Sequence, residues 1–136
     1  YGRDTYAARL PTRAWRRYMT FRVAPREPVF ERPVVVIMET SNFSSAEQFL
    51  IALIDSGRVQ TVGRPTSGGS GNPTVFQLPG PRDVRFSTAS FIRNDGTPIE
   101  GVGLHPDVHV SWTIEDFRQG RDPDLATAER LLLDLD

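Results

Sequence analysis

The sequence predicts an α/β domain, on three observations. Residues 33–38 form a continuous, mostly β-branched apolar run, the mark of a strand buried on both faces. An amphipathic stretch follows at 48–55, and a second short apolar run at 59–62 closes a β-α-β unit. Parallel pairing through a right-handed crossover is the default for such a unit. At 136 residues the chain is one domain, long enough to bury a sizeable core.

Taken in order, the first 32 residues read as a basic arm or linker. Residues 1–17 show no clear period, and one strand is expected at 18–23, where Met19, Phe21 and Val23 alternate. The strand at 33–38 then leads through Asn42-Phe43-Ser44-Ser45-Ala46-Glu47 into a helix whose core stripe is Phe49, Leu50, Leu53 and Ile54. Gly57 supplies the left-handed residue that ends it. After the strand at 59–62, residues 64–73 form a loop rich in Gly, Ser and Pro. Strands are expected at 74–78 and 84–92 around Pro79-Gly80-Pro81, with a tight turn at Asn94-Asp95-Gly96. An irregular loop at 101–107 leads to a strand at 108–112. Thr113 caps a short turn ending at Gly120. Asp122 caps a last helix with Pro123 at its first position and Ala126, Ala128, Leu131 and Leu132 inside. No internal repeat is visible.

Composition excludes several chemistries. There is no cysteine, so disulfides, thiolate catalysis and Cys-ligated zinc are ruled out. All 16 basic residues are arginine, so no lysine of this chain can act as a base, form a Schiff base or hold phosphate. Residues 1–33 carry eight arginines against three acids, a surplus of +5 within a chain of net charge −1. The arginines are scattered and Pro11, Pro25 and Pro28 interrupt any basic helix, so a solvated or domain-contacting arm is expected rather than a nucleic-acid partner. No apolar run approaches the ~20 residues of a membrane span. The chain opens with neither an initiator Met nor a signal peptide and reads as a piece of a longer protein.

Chemistry concentrates at the serines between the first strand and its helix. A hydroxyl there lies beside the unpaired N–H groups and positive dipole end of a helix start, where a serine nucleophile would sit. The bland alternative is an ordinary cap: Ser44 to Glu47 fits S-x-x-E, the capping box. Asn42-Phe43-Ser44 also matches a glycosylation acceptor, poorly placed against a helix start. His105 and His109 have the i, i+4 spacing of metal ligands, but Pro106 and the following strand deny them the helix that spacing needs, and no metal is expected. The loop at 67–71 lacks the lysine and following helix of a phosphate cradle; its small residues would let a peptide backbone approach closely.

From residue 33 to the last helix the chain resembles the tail-specific protease family, the C-terminal processing peptidases, which includes the tricorn core protease and the retinoid-binding repeats of the photoreceptor matrix. The motifs come in the family's order: the strand at 33–38, Phe43-Ser44-Ser45-Ala46-Glu47-Gln48-Phe49, Gly57-Arg58, Val62-Gly63-Arg64-Pro65-Thr66-Ser67-Gly68-Gly69, Glu100-Gly101-Val102-Gly103-Leu104-His105-Pro106-Asp107 and Gly120-Arg121-Asp122-Pro123. The resemblance implies a ClpP/crotonase-like β-α-β core, with residues 33–136 as the C-terminal part of a serine-peptidase catalytic domain. It implies Ser44 as nucleophile, with Ser41 and Ser45 as rival hydroxyls, and the Ser45 N–H as an oxyanion donor. Where the processing-peptidase branch carries a lysine base, this sequence has Gly69, as in the tricorn-like and retinoid-binding-like branches. In tricorn-like enzymes an upstream histidine is the base, and a glutamate that maps onto Glu100 helps orient the site; the bland reading of Glu100 is a solvated turn carboxylate. His105 is the weaker candidate base within the chain.

The function the resemblance implies is peptide-bond hydrolysis without a cofactor. The partners are a peptide or protein substrate and the chain's own upstream catalytic segment. Relatives of this kind are often bacterial and often exported. The isolated piece is expected to have little or no activity. The competing reading is a non-catalytic ligand-binding or scaffold module of the same fold, in which Ser44 only caps.

Overall fold

The computed structural model describes residues 7–8, 24 and 26–135, and the strand expected at 18–23 lies outside them. In chain order the elements are β1 (Ala7–Ala8), β2 (Val35–Met38), α1 (Ser45–Asp55), β3 (Gln60–Gly63) and β4 (Pro73–Leu78). They continue with β5 (Arg82–Ser87), β6 (Phe91–Ile92), β7 (Val108–His109), α2 (Ile114–Gln119) and α3 (Pro123–Leu135). The expected β-α-β unit forms. β2 and β3 pair in parallel, Val35 against Gln60 through Met38 against Gly63, and β7 joins the other side of β3, also in parallel.

Each face of this sheet carries a core, which accounts for the apolar run of β2 at Val35, Val36 and Met38. One core gathers Met38, Leu50, Ile51, Phe91, Ile99 and Leu104, with Val36 and Ile54 against it. The other gathers Val62, Val110 and Ala128, with Val35, Val108 and Leu131. Val35 therefore serves one core and Val36 and Met38 the other, as the pleat requires, while Ile37 is 42% exposed. The N-terminus of α3 is tied down by Asp124, which is buried, accepts from Arg64 at 2.9 Å and from Trp112 Nε1 at 2.8 Å. The Arg64 guanidinium also lies 5.7 Å from the centre of the Trp112 ring.

Several sequence expectations need correcting. Phe49, assigned to the core stripe of α1, is 62% exposed, while Ile51 and the carboxylate-bearing Glu47 are fully buried. Ala126, assigned inward on α3, is exposed. The strand expected at 84–92 is broken after Ser87, because the N–H groups of Thr88 and Ala89 both turn to the Gly71 carbonyl, at 2.8 and 2.9 Å. The strand at 108–112 is ladder-paired only over β7, although the Val110 N–H still reaches the Gly63 carbonyl at 2.8 Å. The turn capped by Thr113 is a short helix, α2, with a true capping box to Asp116 and a left-handed Gly120 at its end. Hydrogen bonds from the Thr113 hydroxyl and N–H hold the Asp116 carboxyl below its ordinary range. Asp122 caps α3 by accepting from the Leu125 N–H at 2.9 Å. Ala7–Ala8 of the basic arm pairs antiparallel with β6.

Candidate active site

Because β2 and β3 run in parallel, the segments that leave them emerge at the same edge of the sheet, the edge where α/β folds place their sites. β2 leads into the 39–44 turn and α1; β3 leads into the loop at 64–72. Backbone bonds tie the two segments together: Arg64 N–H to the Met38 carbonyl at 2.9 Å, Ser67 N–H to Asn42 at 3.1 Å, and Ser44 N–H to Gly69 at 3.0 Å.

Ser44 occupies φ 56°, ψ −121°. That conformation belongs to the first central residue of a type II′ turn and strongly favours glycine. A serine held there carries strain of order 1–3 kcal/mol and is maintained only by surroundings that over-determine it. The same device, a strained strand-to-helix turn, presents the nucleophile in α/β-hydrolases. The side chain is half-buried and makes no cap bond; among the described residues its hydroxyl has no hydrogen-bond partner. The capping box that S-x-x-E offered as the rival reading is therefore absent. The Ser44 N–H is spent on Gly69, and its carbonyl accepts the first bond of α1, from Gln48 N–H at 3.1 Å. Ser45 is exposed, and its N–H has no acceptor among the described residues. Of the two serine N–H groups, only that of Ser45 is free to meet a ligand oxygen at the positive end of α1. Ser41 is exposed and donates its hydroxyl to Glu39.

Glu47 points inward rather than back at the helix start. Its Oε1 accepts from Thr66 Oγ1 at 2.5 Å and Gly68 N–H at 2.7 Å; its Oε2 accepts from Gly69 N–H at 3.0 Å and Ser70 Oγ at 2.6 Å. A buried carboxylate is costly unless its lone pairs are filled. Here four donors fill them. Glu100 grips the far end of the same loop: Oε2 accepts from Ser70 N–H at 2.8 Å, and Oε1 accepts from the Ser87 hydroxyl. Glu100 is therefore a committed, half-buried group, not a solvated one. It bonds neither Ser44 nor Ser45 and reaches the turn only through the loop.

The small residues at 68–71 answer to their own chain. A Cβ at Gly68 would come within 2.7 Å of the Gly103 nitrogen, and one at Gly71 would collide with Ser87 and sit 2.6 Å from Glu100 Oε1. At Gly69 a Cβ would meet only ordinary contacts at 3.7 Å, from Phe43 and Ser67. The structure does not bring the histidines in. His105 and His109 are exposed, neither bonds to the turn, and no cluster able to hold a metal occurs among the described residues. Thr66 and Ser70 are participants that sequence reasoning missed, and Glu47, read there only as the capping-box partner of Ser44, proves to anchor the loop. Their signal is a glutamate one turn into a helix facing a loop dense in hydroxyls and bare N–H groups.

A parallel β-α-β core with a strained serine at the head of its helix, beside a loop gripped by two carboxylates, is the architecture of an α/β peptidase domain. The chain belongs to peptidase family S41, whose sequence model matches residues 3–110, taking in most of the basic arm. It is 28% identical over 99 residues to a carboxy-terminal-processing protease of Bartonella bacilliformis, covering 73% of this chain and 23% of that protein. Its fold superposes with a TM-score of 0.80 on the crystal structure of a putative peptidase from Parabacteroides merdae, at 28% identity over 95% of this chain and 42% of that one. The photosystem II D1 C-terminal processing protease shares the fold, with a TM-score of 0.63 at 24% identity over 81% of this chain and 28% of that one. The chain thus spans less than half the length of each of these relatives. It is a mixed α/β chain of a peptidase family.

Proposed function

We propose that this chain supplies the nucleophile of a serine peptidase, with Ser44 attacking the carbonyl of a peptide or protein substrate. A base outside the chain takes the Ser44 proton as its Oγ bonds to the carbonyl carbon, and the resulting oxyanion meets the Ser45 N–H at the N-terminus of α1. Collapse expels the amine with that proton, and water then releases the acid and restores Ser44. Glu100 contributes at one remove, by bracing the loop that bonds the Ser44 N–H. In this reading residues 33–136 form the C-terminal part of a catalytic domain, and the basic arm of residues 1–32 leads into it from the segment that holds the base. The observation that carries it is the backbone of Ser44: a cap has no use for φ 56°, whereas a presented nucleophile does.

A fluorophosphonate probe tests the proposal. The isolated 136-residue chain labels little, and addition of the upstream segment restores labelling that Ser44→Ala abolishes. Labelling of Ser44 in the isolated chain would overturn the external base. Stabilisation by the upstream segment with no labelling would overturn the nucleophile and leave a scaffold or ligand-binding module.

A further inference from the structure

We infer that Glu47 is a positioning residue for Ser44, acting through Gly69; the inference rests on the reading of Ser44 as nucleophile. The bonds form a closed circuit. Two residues of α1, Ser45 and Ala46, separate Ser44 from Glu47. Glu47 Oε2 holds the Gly69 N–H at 3.0 Å, and the carbonyl of that same Gly69 holds the Ser44 N–H at 3.0 Å. Gly68 and Gly69 have no side chains with which to fix their own peptides, so the carboxylate takes over that task, with Thr66 Oγ1, Gly68 N–H and Ser70 Oγ filling its other lone pairs.

Two further observations argue that the circuit serves the turn rather than the bulk of the fold. Glu47 is fully buried beside a core of Leu50 and Ile51, yet all four of its hydrogen bonds go to residues 66–70 of the loop that holds the Ser44 N–H. Ser44 sits in a conformation that unsupported serine avoids, and the acceptor that closes the turn upon it is the carbonyl of Gly69, whose own N–H Glu47 holds while Glu100 holds the next N–H, that of Ser70. Glu47 bonds neither the Ser44 hydroxyl nor the Ser45 N–H; it sets where they point.

Glu47→Gln tests this, because it keeps the volume and turns an NH2 group against donors that need an acceptor. Ile51→Val serves as the control: the same helix, equally buried, with no bond to the loop. Residue-resolved hydrogen exchange on the 136-residue chain is the activity-independent readout. Loss of a bond to a charged acceptor predicts that the Ser44 and Gly69 amides of Glu47→Gln exchange about tenfold faster, beyond any change in global stability. In Ile51→Val they follow global stability alone. With the base-bearing segment present, the fluorophosphonate labelling rate per folded molecule falls about tenfold or more in Glu47→Gln and little in Ile51→Val. Should Glu47→Gln fail to fold, Ser70→Ala removes one donor from Oε2 and is read in the same way. Ser44 exchange that tracks the control overturns the positioning role. Failure of the wild type to label overturns the nucleophile instead, and the exchange measurement still judges Glu47.

Discussion

Ser44 holds its place at the head of α1 under backbone strain, and that gives a stability prediction separable from activity. Glycine accepts φ 56°, ψ −121° freely, so Ser44→Gly relieves of order 1–3 kcal/mol of strain. It also frees the unfolded chain, which returns about 0.4–1 kcal/mol. The net expectation is a protein more stable by about 1 kcal/mol that no longer labels. Ser44→Ala keeps the strain and loses labelling with a stability change within about 0.5 kcal/mol. Urea denaturation of the two variants decides; a Ser44→Gly protein less stable than wild type would refute the strain. The residue itself was legible from its place between strand and helix, but its role as a non-cap was not. S-x-x-E states which groups are near a helix start, not the sign of φ, and only a positive φ turns the Ser44 side chain away from the donors it would cap. Likewise nothing in the local pattern says that Glu47 faces inward, since its four partners lie 19 to 23 residues away.

Among the elements, the loop after β3 concentrates what local reading reaches least. Its glycines suggest room for a ligand backbone, whereas two of the three in 68–71 make room for residues 87 and 99–103 of the same chain. The distinction predicts an ordering. Gly71→Ala drives a methyl into Ser87 and Glu100 and should cost about 1–3 kcal/mol. Gly68→Ala meets backbone nitrogens at 2.7 and 2.8 Å and is further strained by φ +71°, so its cost should be at least as large. Gly69→Ala, with only ordinary contacts at 3.7 Å and no positive φ, should stay within about 0.5 kcal/mol. Thermal melts rank the three, and a Gly69→Ala variant as damaged as Gly71→Ala would show the loop to be packed differently. The misassigned face of α1 has a related cause. Helical period alone allows either Phe49 or Ile51 inward, and the inward turn of Glu47 selects the face that carries Ile51 and Leu50 and leaves Phe49 exposed.

For the molecule as a whole, the apolar run of β2 is the feature the sequence states most clearly, and its meaning is that the sheet has two cores. α1 with Phe91, Ile99 and Leu104 fills one face; α3 with Val110 fills the other. Only the first face abuts the Ser44 turn, since Met38 ends β2 and Leu50 and Ile51 lie on the helix that Ser44 begins. The long-range pairing of Asp124 with Arg64 and Trp112, which docks α3, joins residues up to 60 apart and could not be read from spacing. A partition of stability follows. Ile51→Ala, fully buried, should cost about 2–5 kcal/mol, and Leu131→Ala, half-buried on the opposite face, about 1–3 kcal/mol. Sharing no core, the two should add within about 0.5 kcal/mol in a double-mutant cycle followed by urea unfolding. Leu131→Ala should leave the exchange of the Ser44 amide governed by global unfolding alone. A coupling energy above about 1 kcal/mol, or Ser44 exchange in Leu131→Ala faster than global unfolding allows, would mean that the sheet does not insulate the Ser44 turn from the α3 face.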